Sequence, residues 1–223
     1  MIDHQRKILF IHIPKNAGTS IERDLFPSFD FKGAYSKDAL YGFDAELGLN
    51  LQHATLAQLL GKHLITEHQL QGYTSFAVVR NPFTRAISGY KWLLKDLKTE
   101  GTFEEFLTQS GAFSEGRLSE APHYVADHFL TQSDFIAQAG RIRVDHVLRF
   151  EHLKQDFGRL AHSKGWDAHL DNHFKKNRQK RWELARLMTP KIQALIVERY
   201  REDFELFDYS TRFNKWKYIL GHG

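Results

Sequence analysis

Ile11-His12-Ile13-Pro14-Lys15-Asn16-Ala17-Gly18-Thr19-Ser20 sets a lysine, one glycine and two hydroxyls where an apolar run turns into a helical pattern. A strand–loop–helix turn of this kind aims free backbone N–H groups and the positive end of a helix at whatever lies in front of it. Gly18 lets the backbone approach closely, Thr19 and Ser20 add hydroxyl donors, and Lys15 adds a mobile positive charge. These are the parts of a phosphate site. The loop is not a Walker A motif, in which the lysine follows the second glycine; here Lys15 precedes the only one. An ordinary helix start would use Thr19 or Ser20 as a cap and bind nothing.

A second anion site is written at Arg80, which closes the apolar run Phe76-Ala77-Val78-Val79. Ligands of open α/β sheets bind beyond the carboxyl ends of the strands, where this arginine falls. In the helical pattern that follows, Ser88 lies about 140° from the apolar stripe beginning at Phe83, on the side of Lys91 and Lys95. A guanidinium fork and a hydroxyl from the next helix suit a second phosphate. A surface arginine and a tolerated helical serine are the plainer alternative.

The 13 histidines offer other chemistry. His12 falls on a buried strand and reads as a hydrogen-bonded core residue. His169 and His173 have the i, i+4 spacing of a zinc pair, but Leu170 stands where the H-E-x-x-H pattern has its glutamate, so no metal is expected. Glu151, just past a third apolar run, reads first as one half of a structural ion pair.

The elements that must position these residues follow from the apolar runs. Lys7–Ile13, Thr74–Val79 and Asp145–Phe150 read as strands, each followed by a three/four apolar spacing: Ile21 and Leu25; Phe83, Ile87, Tyr90, Leu94 and Leu97; Leu153, Phe157 and Leu160. Strand-then-helix alternation predicts an α/β fold with a mainly parallel central sheet flanked by helices, and a P-loop-like strand–loop–helix phosphate site. Thr102 with Glu105 is a capping box, and Thr189-Pro190 starts a helix whose stripe is Ile192, Leu195, Ile196, Tyr200 and Phe204. Phe26–Gln52 is poorly periodic and reads as loop with short helical pieces.

At 223 residues the chain is sized for one domain over 1–223. Its formal charge is +4; setting aside the run Lys175-Lys176-Asn177-Arg178-Gln179-Lys180-Arg181 leaves 26 basic residues against 27 acidic. Any anion preference is therefore local, and no nucleic-acid partner is expected. The absence of cysteine excludes disulfides, a thiol nucleophile, thiolate zinc and iron–sulfur clusters. The amino-terminal apolar stretch is too short for a signal peptide, and no run is long enough to span a membrane. A cytoplasmic protein is the expectation.

The pair IPKNAGTS and VVRNPFTRAISGY resembles the two nucleotide-binding segments of the sulfotransferase family that includes heparan sulfate 2-O-sulfotransferases and related bacterial enzymes. Gln132-Ser133-Asp134-Phe135, Val144–Glu151 and Glu198–Tyr209 look like later stretches of the same family, so the resemblance runs in order from about Lys7 to Tyr209. It implies 3′-phosphoadenosine 5′-phosphosulfate (PAPS) as donor, with PAP (adenosine 3′,5′-bisphosphate) as its spent form. It also implies a hydroxyl acceptor, most naturally on an oligo- or polysaccharide. Lys15, Asn16, Ala17, Gly18, Thr19 and Ser20 would hold the 5′-phosphosulfate, and Arg80 with Ser88 the 3′-phosphate. The basic run, with Asn177 twelve residues before Thr189 and Lys180 beside it, would be the family's nucleotide-covering loop, although Gln179 stands where a serine is usual. The segment around His53 looks like the one that supplies a catalytic histidine in 2-O-type enzymes, and a base near neutral pKa suits removal of a hydroxyl proton. A nucleotide-binding protein without transferase activity and a P-loop-like kinase are the alternatives.

Overall fold

The computed structural model describes residues 1–32, 35–115, 123–170, 182 and 184–220. β1 (Ile2–Asp3) runs antiparallel to β2 (Ile8–Ile11). Next come α1 (Gly18–Leu25), a hairpin of β3 (Phe43–Asp44) and β4 (Leu49–Asn50), and a 3-10 turn at Leu51–His53. Two short helices, α2 (Leu56–Gly61) and α3 (Glu67–Gly72), lead into β5 (Thr74–Val79). Beyond it lie α4 (Pro82–Asp96) and α5 (Phe103–Thr108). Then follow α6 (Gln132–Ile136), a hairpin of β6 (Ala137–Gln138) and β7 (Arg141–Ile142), β8 (His146–Arg149) and α7 (Leu153–Lys164). The last described helices are α8 (Pro190–Arg199), α9 (Arg201–Leu206) and α10 (Lys215–Leu220).

The central sheet has the order β1-β2-β5-β8, with β2, β5 and β8 parallel and β1 antiparallel at one edge. All four residues of β2 are buried, and in β5 only Thr74 is not. Strands covered on both faces must be apolar throughout, which is why these two runs show no alternation. Ser75 and Asp145 clasp the sheet where β5 begins: the carboxylate accepts from Ser75 N and Oγ at 2.8 Å, and Asp145 N donates back to Oγ at 2.9 Å. The fold is the α/β arrangement with a mainly parallel, helix-flanked sheet that the strand–helix alternation predicts. Thr102 and Glu105 form the predicted capping box, and Thr189 caps α8 ahead of Pro190.

Phe26–Gln52 departs from expectation. Among its described residues, the regular pieces are the β3–β4 hairpin and a bridge between Ser36 and Tyr41, and the last two residues enter the 3-10 turn. The turns decide this: Asp44 Oδ1 accepts from Leu47 N at 2.9 Å, and Gly48 takes a φ of 63°, a left-handed value that closes the hairpin.

The described residues of Met1–Val79 and Gln132–Asn172 form one compact unit, and those of Arg80–Thr131 and His173–Gly223 a second. In the first, Ile21 and Leu25 of α1 and Leu153 and Phe157 of α7 pack with Ile8, Phe10, Phe76 and Val78 of the sheet. In the second, α4 and α5 build an aromatic core of Phe83, Phe103, Phe106, Phe113 and Phe129 with Ile196 and Phe204. No helix among the described residues is long and apolar enough to cross a membrane.

Candidate active site

The loop between β2 and α1 is bent by two non-glycine residues in the left-handed region, Lys15 at φ 72° and Ala17 at φ 68°. Each costs about 1–2 kcal/mol relative to a right-handed residue, so the surrounding structure must impose the shape. Asn16 anchors it. Its side chain is turned inward, 1% exposed, and Nδ2 donates at 2.7 Å both to Val78 O in β5 and to Gln132 Oε1 in α6. Asn16 can therefore serve a ligand only through its backbone.

Ala17 is the N-cap of α1 and provides no side-chain cap. The N–H groups of Ser20 and Ile21 bond to Ala17 O at 3.0 and 3.3 Å. The amides of Gly18 and Thr19 come first in the helix and make no hydrogen bond among the described residues. Thr19 is exposed and Ser20 and Lys15 are half-buried. Neither hydroxyl caps the helix, so the cap alternative does not hold, and the positive end of an eight-residue helix is left for an anion.

His12 lies behind this loop. Its ring is buried, and Nδ1 is 2.7 Å from Glu22 Oε1 on α1. A β-carbon added at Gly18 would stand 1.9–2.4 Å from three atoms of that ring, so the glycine is required by His12 as well as by any ligand. On the 3-10 turn before α2, the half-buried His53 meets His12 edge-on, with ring centroids 4.8 Å apart and planes at 86°. One buried imidazole thus touches both the phosphate-type loop and the candidate base. Burial opposes ionisation of Glu22, yet His12, its hydrogen bond, the Met1 amino group and His53 together hold the carboxyl below its ordinary value.

In the second unit, Arg80 follows β5 directly and its Nε donates to Thr84 Oγ1 at 2.9 Å. The Thr84 hydroxyl donates in turn to Asn81 O at 3.1 Å, and Asn81 Oδ1 caps α4 by accepting from Phe83 N at 3.0 Å. Thr84 and Ser88 are i and i+4, so the guanidinium is tied to the helix face that carries the half-buried Ser88. Arg80 is thus anchored at Thr84, one helical turn before Ser88.

Asn177 and Lys180, with the rest of the basic run and His173, lie outside the described residues. Three participants were not singled out for a site by the sequence: Glu22, Thr84 and Gln132. Glu22 had a signal, since it falls in the spacing Gly18, Ile21, Glu22, Leu25 that α1 buries. A carboxylate on a buried stripe needs a partner, and His12 was at hand.

The model of the sulfotransferase family matches residues 1–210 of the 223. The chain belongs to the sulfotransferase family. No curated protein and no solved structure matches it.

Proposed function

We propose that this chain is a PAPS-dependent enzyme that moves a sulfuryl group to a hydroxyl of a carbohydrate, in the manner of the 2-O-sulfotransferases its motifs resemble. The observation that carries this reading is the uncapped amino end of α1 behind a loop strained at Lys15 and Ala17, in a chain of the sulfotransferase family. PAPS supplies the sulfuryl group when bound. The amides of Gly18 and Thr19 and the Lys15 ammonium hold its 5′ end and stabilise the charge that gathers on the leaving phosphate oxygen. Arg80, oriented by Thr84, serves the 3′-phosphate with Ser88. His53 takes the proton of the acceptor hydroxyl.

Calorimetry and a labelled-sulfate transfer screen over glycans test this. Adenosine 3′,5′-bisphosphate should bind far more tightly than AMP, and label should pass from PAPS to a glycan without magnesium. Equal affinity for the two nucleotides would remove the 3′-phosphate assignment. Tight bisphosphate binding with no transfer to any acceptor would make the chain a nucleotide-binding protein, and magnesium-dependent phosphate transfer from ATP would make it a kinase.

A further inference from the structure

Glu22 has only 5% of its side chain exposed, and His12, its partner at 2.7 Å, only 8%. A carboxylate withdrawn from water this far needs a hydrogen-bonded partner. With Nδ1–H given to Glu22, a neutral His12 has Nε2 as its bare nitrogen, so the carboxylate sets both tautomer and ring plane. Phe10 lies nearly parallel to that ring, centroids 5.8 Å apart, and Gly18 abuts it, which leaves it little freedom to turn. The ring so fixed is the one against which His53 stands, at right angles and 4.8 Å. A carboxylate, a locked imidazole and a second imidazole thus follow one another from α1 to the turn before α2.

We propose that Glu22, acting through His12, is a positioning residue for His53: it holds the ring in place and favours the positive charge that His53 gains with the acceptor's proton, a role that rests on the reading of His53 as the base. When the proton leaves the acceptor oxygen for a ring nitrogen of His53, the three groups pass from a net charge of minus one to zero. Without the carboxylate, the same step would leave a net positive charge in a largely buried cluster. The pairing is reciprocal: His53 helps keep Glu22 ionised, so Glu22 must favour a protonated His53. Further titratable groups that interact with Glu22 include the Met1 amino group and the Tyr41 phenol, whose pKa burial and then the Glu22 charge push up.

Glu22→Gln tests the charge alone, because its amide oxygen still accepts from His12 Nδ1. Turnover should fall by about ten- to a hundredfold, less than the general-base loss expected for His53→Ala. The acid limb of the turnover profile should move to lower pH, and bisphosphate affinity should stay within about twofold of wild type, because no donor contact is removed. Glu22→Asp should restore part of the rate and return the limb towards its wild-type position. In a His53→Ala background, Glu22→Gln should cost little more, since both act on one proton transfer. An unmoved acid limb or full additivity with His53→Ala would overturn the role of Glu22 while leaving His53 as base. Near-normal turnover in His53→Ala would overturn the base assignment itself, and the role of Glu22 with it.

Discussion

At the residue scale, the loop was the most legible part of the chain. A lysine, one glycine and two hydroxyls between an apolar run and a helical spacing specify a strand–loop–helix turn, and β2 and α1 flank it as expected. The direction of individual side chains was not legible. Asn16 faces inward because its amide completes two buried carbonyl contacts sixty-two and 116 residues away in sequence, and no local pattern encodes partners at that range. Lys15 and His53 should separate by role. Lys15→Ala removes a charge that the donor meets in ground and transition states alike, so it should weaken bisphosphate binding and slow turnover together. His53 belongs to a separate segment and meets the loop only through His12, so His53→Ala should leave donor affinity nearly unchanged and lower turnover by about a hundred- to ten-thousandfold. Calorimetry and single-turnover rates on the two variants distinguish these outcomes. A His53 variant with weakened donor binding and normal chemistry would reverse its assignment.

At the scale of elements, the strands and caps were legible because their signals are local. Apolar runs gave β2, β5 and β8, and Thr102-Phe103-Glu104-Glu105 and Thr189-Pro190 gave the starts of α5 and α8. β1 and the hairpins of β3–β4 and β6–β7 were not seen, because strands of two residues exist only through their pairing and leave no periodicity of their own. Helical geometry placed Ser88 off the apolar stripe, but it did not reveal that α4 buries Pro82 through Ile87 on all sides. Thr84, inside that buried stretch, carries Arg80. Thr84→Val keeps the shape and removes the hydroxyl that accepts from Arg80 Nε. It should weaken adenosine 3′,5′-bisphosphate binding by about tenfold, the scale of one charge-assisted hydrogen bond, and leave AMP binding almost unchanged. Equal losses for both nucleotides would mean that Arg80 does not read the 3′-phosphate.

At the scale of the whole molecule, the near balance of charges outside the basic run makes individual buried carboxylates visible in the pH dependence of stability. Glu22 is the clearest case. Burial disfavours its ionised form, but His12, the Met1 amino group and His53 outweigh that, and the folded-state pKa lies below the ordinary 4.5. Through the carboxylate range the unfolded chain therefore binds more protons at this residue than the folded one. The stabilisation from Glu22 is fully present above that range and is lost as pH falls through the folded pKa. Asp3, Asp44 and Glu105 shift in the same direction, so the wild-type chain should lose stability below about pH 4.5 at several sites at once. Glu22→Gln isolates one of them. Its melting temperature should lie furthest below wild type near pH 7 and approach it as pH falls through the lowered folded pKa of Glu22, below which Glu22 is protonated and close to glutamine in shape and charge. Thermal melts of both proteins across that range read the gap directly. A gap that stays constant with pH would mean that Glu22 carries its proton in the folded state at neutral pH, and the His12 contact would then join two uncharged groups rather than an imidazole and a carboxylate.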